Sequence, residues 1–145
     1  MTRLVILLFS ILLTSCAPTA QHTTEGIQEE ISFYIDQLPD RDFVEVYGDD
    51  ENPKTWYTAA EKLGEIGAPA IPALVQRLGT ADEYELMLVV YALMLASQDA
   101  QVMAITEGDY LQLDTVLTPE TNTENRQRAL RWCAQYPQVC APNTK

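Results

Sequence analysis

The chain has 145 residues, 47% of them hydrophobic, and carries 21 acidic against 9 basic side chains for a formal net charge of −12. That length holds one domain of ordinary size, and that charge opposes attraction to nucleic acid or to anionic lipid surfaces. One histidine and three cysteines are too few for most metal or nucleophile constellations.

Arg3 is followed by Leu4 to Leu13, apolar apart from Ser10, and then by Thr14, Ser15 and Cys16. A transmembrane helix needs about 20 apolar residues, and this run is roughly half that. A basic start, a short apolar core and a small-residue exit describe a secretory signal peptide over residues 1–15. Leu13-Thr14-Ser15-Cys16 resembles the lipobox of bacterial lipoproteins. The resemblance implies that Cys16 becomes the new N-terminus and carries a thioether-linked diacylglycerol plus an N-acyl chain. Several chains anchor a domain stably, where one gives only reversible binding. Residue 17 is Ala, whereas an Asp there is the common inner-membrane retention signal. The resemblance therefore points to the periplasmic face of the outer membrane, ahead of the inner membrane. The alternatives are an uncleaved N-terminal helix or ordinary cleavage near Ala17 or Ala20.

Cleavage before Cys16 leaves 130 residues with eight basic and 21 acidic side chains, a net charge of −13. Residues 16–24 read as a lipidated tether of small and polar residues, with the lone His22 a solvated linker residue. Residues 25–140 are expected to form an all-α domain, and 141–145 a C-terminal tail. Ile27, Ile31, Tyr34, Ile35 and Leu38 form one helical stripe, capped at Thr24 and ended by Pro39. Its polar face carries Glu25, Glu29, Glu30 and Asp36 without a lysine, unlike a basic interfacial helix. Residues 39–53 read as an acidic loop, with Phe43 to Tyr47 a candidate extended piece. Its contiguous acids do not match the spacing of a 12-residue calcium loop, which favours a solvated loop over a cation site.

From Trp56 to Gly79 the pattern changes. Ala59, Leu63 and Ile66 run to Gly67, a suitable helix-ending glycine. Pro69 suits the first turn of a second helix, in which Ile71, Leu74, Val75 and Leu78 are spaced on one side. Two short helices joined by a tight turn make an αα-hairpin that must stack on neighbours to bury its stripes. Residues 59–78, with Gly64, Gly67, Ile71, Pro72, Leu74 and Leu78 in place, resemble a HEAT repeat of the phycobilisome-lyase type. That resemblance implies a short α-solenoid, a stack of HEAT-like helical hairpins. It implies a scaffold and not a chemistry, so no lyase activity is carried over.

Asp82 is placed to cap a helix whose residues Leu86 to Ala96 are apolar all round, the pattern of a central helix. Met87, Met94 and Met103 read as core filling. Leu93 follows Leu63 by a repeat-like interval, but the second copy lacks the Gly and Pro signals. Residues 99–106 and 109–117 read as short helices broken at Gly108. Thr118-Pro119 opens a last helix with a candidate capping box, Thr121 to Glu124. Ala129, Leu130, Trp132 and Cys133 are its expected buried side. Arg126, Arg128 and Arg131 form the only basic cluster, a candidate partner contact or simply charges that suit the helix dipole. With Cys16 acylated, Cys133 and Cys140 remain as an even pair that an oxidising periplasm would join across the turn at Pro137. Two free thiols, or a metal site lacking further ligands, are the alternatives.

The only histidine lies on the tether, so no Ser or Cys nucleophile has an imidazole partner. Gly64 and Gly67 end a helix and do not follow a strand, unlike a phosphate-binding loop. No cofactor, metal or catalytic residue is expected. The leading expectation is a membrane-anchored protein-binding adaptor, with a pilotin-like role in envelope assembly as one variant. The alternative is an acidic immunity or inhibitor lipoprotein that neutralises a basic toxin or hydrolase. A carboxylate-dependent enzyme comes third.

Overall fold

The computed structural model of the chain describes residues 19–141, with side chains from residue 24 onward. The signal peptide at 1–15, the acylation of Cys16 and the tail beyond Ala141 lie outside the described residues, as does the side chain of His22. Seven α-helices are described: α1 (Thr19–Gln37), α2 (Thr58–Ile66), α3 (Ile71–Arg77), α4 (Glu83–Ala96), α5 (Ala100–Ile105), α6 (Asn122–Gln135) and α7 (Pro137–Cys140). None of them is long and apolar enough to cross a membrane.

The helix α4 is the hub. Asp82 accepts hydrogen bonds from the backbone amides of Tyr84 at 2.8 Å and Glu85 at 3.0 Å, occupying two donors that the first turn cannot satisfy internally. Leu86, Leu88, Val89, Val90, Ala92, Leu93 and Ala96 are all buried, because α2, α3 and α6 each pack on α4. The helix α1 lies on α2 and α3 and buries Ile31, Ile35 and Leu38. Of the predicted α1 stripe, Ile27 stays outside this core at 39% exposure.

Gly67 has φ +74°, a conformation that favours glycine, and its N–H returns to the Leu63 carbonyl to end α2. A 3₁₀ turn over Ala68–Ala70 follows, and Pro69 and Pro72 open the two successive helical segments.

Several expectations need correction. Leu130, expected on the buried side of the last helix, is 50% exposed. The helix α1 begins at Thr19 rather than at Thr24, since no Gly or Pro between these residues interrupts the ladder. The fold is mostly helical, as expected, and the candidate extended piece at Phe43 to Tyr47 contains β1 (Glu45–Tyr47); its antiparallel partner β2 (Lys54–Trp56), which makes the pair a hairpin, is not expected from the sequence. Its turn closes through the Asn52 amide, which reaches the Asp49 carboxylate at 2.8 Å, and Val46, Tyr47, Thr55 and Trp56 suit strands.

Residues 109–117 form no helix. Glu107, Gly108 and Leu117 all have positive φ, and buried polar groups peg the extended segment in place. Ser97 Oγ accepts from the Leu111 amide at 3.0 Å, and Asn125 Oδ1 accepts from the Asp114 amide at 2.8 Å. The capping box does not form either. Thr121 Oγ1 donates to the carbonyls of Thr115 and Thr118 and accepts from Asn125 Nδ2 at 3.1 Å, and it caps no backbone amide of α6 as such a box requires.

Candidate functional site

A groove of about 350 Å³ lies between the first half of α1, the turn and start of α3, α5 and α7. Ile27 and Gln28 come from α1, Pro69 and Pro72 from the turn and α3, Val102 and Ile105 from α5, and Gln138 and Val139 from α7. Its walls owe their positions to local devices. Asp99 caps α5 by accepting from the amides of Gln101 at 2.8 Å and Val102 at 3.4 Å. A Cβ at Gly67 would sit 2.7 Å from the Asp99 carboxylate, so glycine lets the head of α5 close on the end of α2. The helix α7 is held against α3 by buried Val139 and Cys140.

The electrostatics of this groove are unusual for the chain. Among the described residues, no charged side chain lines it. The polar groups at its margin are the amides of Gln28, Gln101 and Gln138 and the Thr24 side chain. From Thr24 onward α1 carries four acidic residues and no basic one, and α5 and α7 carry no charge at all. Exposed Glu25 and Glu29 adjoin Thr24 and Gln28 in sequence. An apolar, uncharged floor with glutamine amides at its edge suits an aliphatic surface from a partner and offers no group for acid–base work.

Cys133 and Cys140 are joined in a disulfide with their Cα atoms 5.5 Å apart, linking α6 to α7. The three arginines do not form one spot. Arg126 turns to the α3–α4 connection and donates to the Thr80 carbonyl at 3.0 Å. Arg128 pairs with Glu124 at 3.1 Å and Asp114 at 3.6 Å, and Arg131 with the same Glu124 at 3.2 Å. Arg128 and Arg131 border a shallow depression with Trp132 and Gln135, already neutralised by carboxylates of their own helix and loop.

Between α4 and α2, the Tyr91 hydroxyl donates to the Glu61 carboxylate. Burial first, and then that bond, push the Tyr91 phenol well above its usual range. No group of three or more His, Cys, Asp or Glu among the described residues is arranged to hold a metal ion.

No known family model matches this chain, and neither does any curated protein or solved structure.

Sequence reasoning missed the groove because it assigned Ile27 to the buried stripe and read residues 99–106 as a short helix without assigning it an exposed face. A usable signal was present. Residues 66–76, 100–106 and 136–141 are uncharged runs in a strongly acidic chain, and each contributes to the groove.

Proposed function

We propose that this protein is a membrane-anchored periplasmic lipoprotein whose helical domain is a short HEAT-like stack acting as a protein-binding adaptor. The lipobox-like Leu13 to Cys16 supports the anchor, on the periplasmic face of the outer membrane, and leaves Thr19 only three residues from the acylated cysteine. The observation that carries the adaptor reading is the charge-free groove, because exposed apolar surface is kept in acidic proteins where something covers it. The walls are apolar side chains and glutamine amides, which supports recognition at this groove. Envelope assembly of the pilotin type is one such role.

A crosslinking pull-down from membranes, with wild type and Cys16→Ala side by side, tests this. Recovery of one specific partner with wild type, reduced with Cys16→Ala, is the expected result. Recovery of no specific partner with either overturns the adaptor reading. Palmitate labelling that persists in Cys16→Ala overturns the anchor.

The hairpin favours a second reading. Val46, Tyr47 and Trp56 are exposed among Glu45, Asp49, Asp50 and Glu51, a surface suited to a basic protein. An inhibitor acting there would bind its target tightly at low salt and lose it as salt rises.

A further inference from the structure

We infer that the groove between α1, α3, α5 and α7 takes an amphipathic helix of a partner protein, aliphatic along one stripe and flanked by Lys or Arg. This rests on the adaptor reading and names its partner's chemistry.

Three observations lead there. The floor is aliphatic and uncharged, and Ile27 and Ile105 stand at its edge with 39% and 50% of their surface still exposed. The walls are helices and the 3₁₀ turn at Ala68–Ala70, and no strand edge is among the residues described there. An extended peptide would therefore find no ladder for its own N–H and C=O groups, whereas a helix brings them satisfied and needs only an apolar complement. Charge decides the flanks. The described part of α1 is acidic without a single Lys or Arg, α5 and α7 are neutral, and Arg77, the one base on α3, is bonded to Glu85. A helix with acidic flanks would meet repulsion from Glu25 and Glu29, and one with basic flanks would meet attraction.

The test uses the full-length protein in neutral phosphatidylcholine nanodiscs, read against empty discs. A synthetic Leu/Lys amphipathic helix, labelled for fluorescence anisotropy and carrying a benzophenone on its apolar stripe, is the probe. A Leu/Glu helix of the same pattern is its counterpart. The Leu/Lys helix should bind, and Ile27→Asp or Ile105→Asp should weaken it by about tenfold or more. Each substitution adds negative charge, so electrostatics alone would strengthen binding; a loss isolates apolar seating. Val116→Asp in the 109–117 segment, where the residue is 40% exposed, supplies the same charge elsewhere and should not weaken the probe. Photo-adducts should fall on peptides containing Ile27, Pro72 or Ile105. Both isoleucines are exposed, so melting temperatures of the variants should match wild type and keep the comparison clean.

Equal binding by Ile105→Asp and Val116→Asp overturns the inference. So does equal affinity for the Leu/Glu helix, displacement of the probe by a free fatty acid at lower concentration than by unlabelled peptide, or a peptide-free dimer that Ile105→Asp dissolves. If membrane crosslinking finds a partner while groove substitutions leave the probe unaffected, the groove assignment falls and the adaptor reading stands. If crosslinking finds none, the adaptor reading falls on its own result.

Discussion

Gly64 on α2 lies directly against Leu95 on α4: a Cβ added at Gly64 would come within 2.5 Å of the Leu95 Cβ and 2.9 Å of its Cδ1. The two helices therefore pack at a spacing that only the absent side chain permits, and Leu63 beside it is fully buried. Helix propensity alone would make alanine better than glycine here by about 1 kcal/mol. Overpacking a close contact costs about 1–3 kcal/mol, which outweighs it. Gly64→Ala should lower stability in urea denaturation, and adding Leu95→Ala should recover part of the loss. An unchanged midpoint for Gly64→Ala would mean that α2 and α4 separate freely.

Glu85 is buried at the head of α4, where Arg77 and Thr80 both bond its carboxylate. Arg77 Nε donates to Glu85 Oε1 at 2.7 Å. Arg77→Met leaves a buried carboxylate without its cation, a loss on the order of 3 kcal/mol. Replacing both, as Arg77→Met with Glu85→Leu, removes the stranded charge and should cost much less. A double-mutant cycle in chemical denaturation reads the coupling. Additive effects would contradict the pairing.

Asp82 predicts an acid-side pH dependence. The Glu85 amide, together with the Tyr84 amide and the Arg41 guanidinium, holds its carboxyl below the usual 3.8 against an opposing effect of burial. A depressed folded value means that the charged cap contributes stability above the unfolded value and loses it as pH falls through the lower folded one. The melting-temperature gap between wild type and Asp82→Asn should be flat above about pH 5 and narrow below pH 3.8. A gap that does not change with pH would remove the charge from the account and leave only the hydrogen-bonding geometry.

The Cys133–Cys140 bond closes a sequence separation of 7 residues. The chain-entropy relation gives such a small loop about 2.5 kcal/mol. Reduction, or the Cys133→Ser/Cys140→Ser pair, should cost that much. Hydrogen exchange should then accelerate in α7, whose hold on α3 depends on Val139 and Cys140, while the amides of α4 keep their order of protection. Equal acceleration in α4 would show that the bond holds the core and not the terminus.

The molecule's helical framework was legible in its residues because the signals involved are short-ranged. The apolar run Leu86 to Ala96, the Asp82 cap and the Gly67 and Pro69 boundary each act within a turn or two of their own helix, and the structure places helices accordingly. Local signals also misled. The apolar residues around Leu111 and Leu113 suggest a helix, but Ser97 and Asn125 take the backbone amides of Leu111 and Asp114 from 14 and 11 residues away. Thr121 and Glu124 have capping-box spacing, yet each finds a better partner, Thr121 in the Thr115 and Thr118 carbonyls and Glu124 in two arginines.

What the sequence by itself determined is part of the local grammar: the Asp82 start of α4, the Gly67 end of α2, and which helix is apolar all round. What only the tertiary structure decided is which side chains meet. Arg126 reaches Thr80 across 46 residues and Tyr91 reaches Glu61 across 30. The groove gathers α1, α3, α5 and α7, which no periodicity links. A helical pattern is set by neighbours one turn away, whereas a concave surface depends on how helices far apart in the chain close on one another. The exposure of Ile27 and Ile105 therefore emerged only when the helices were assembled.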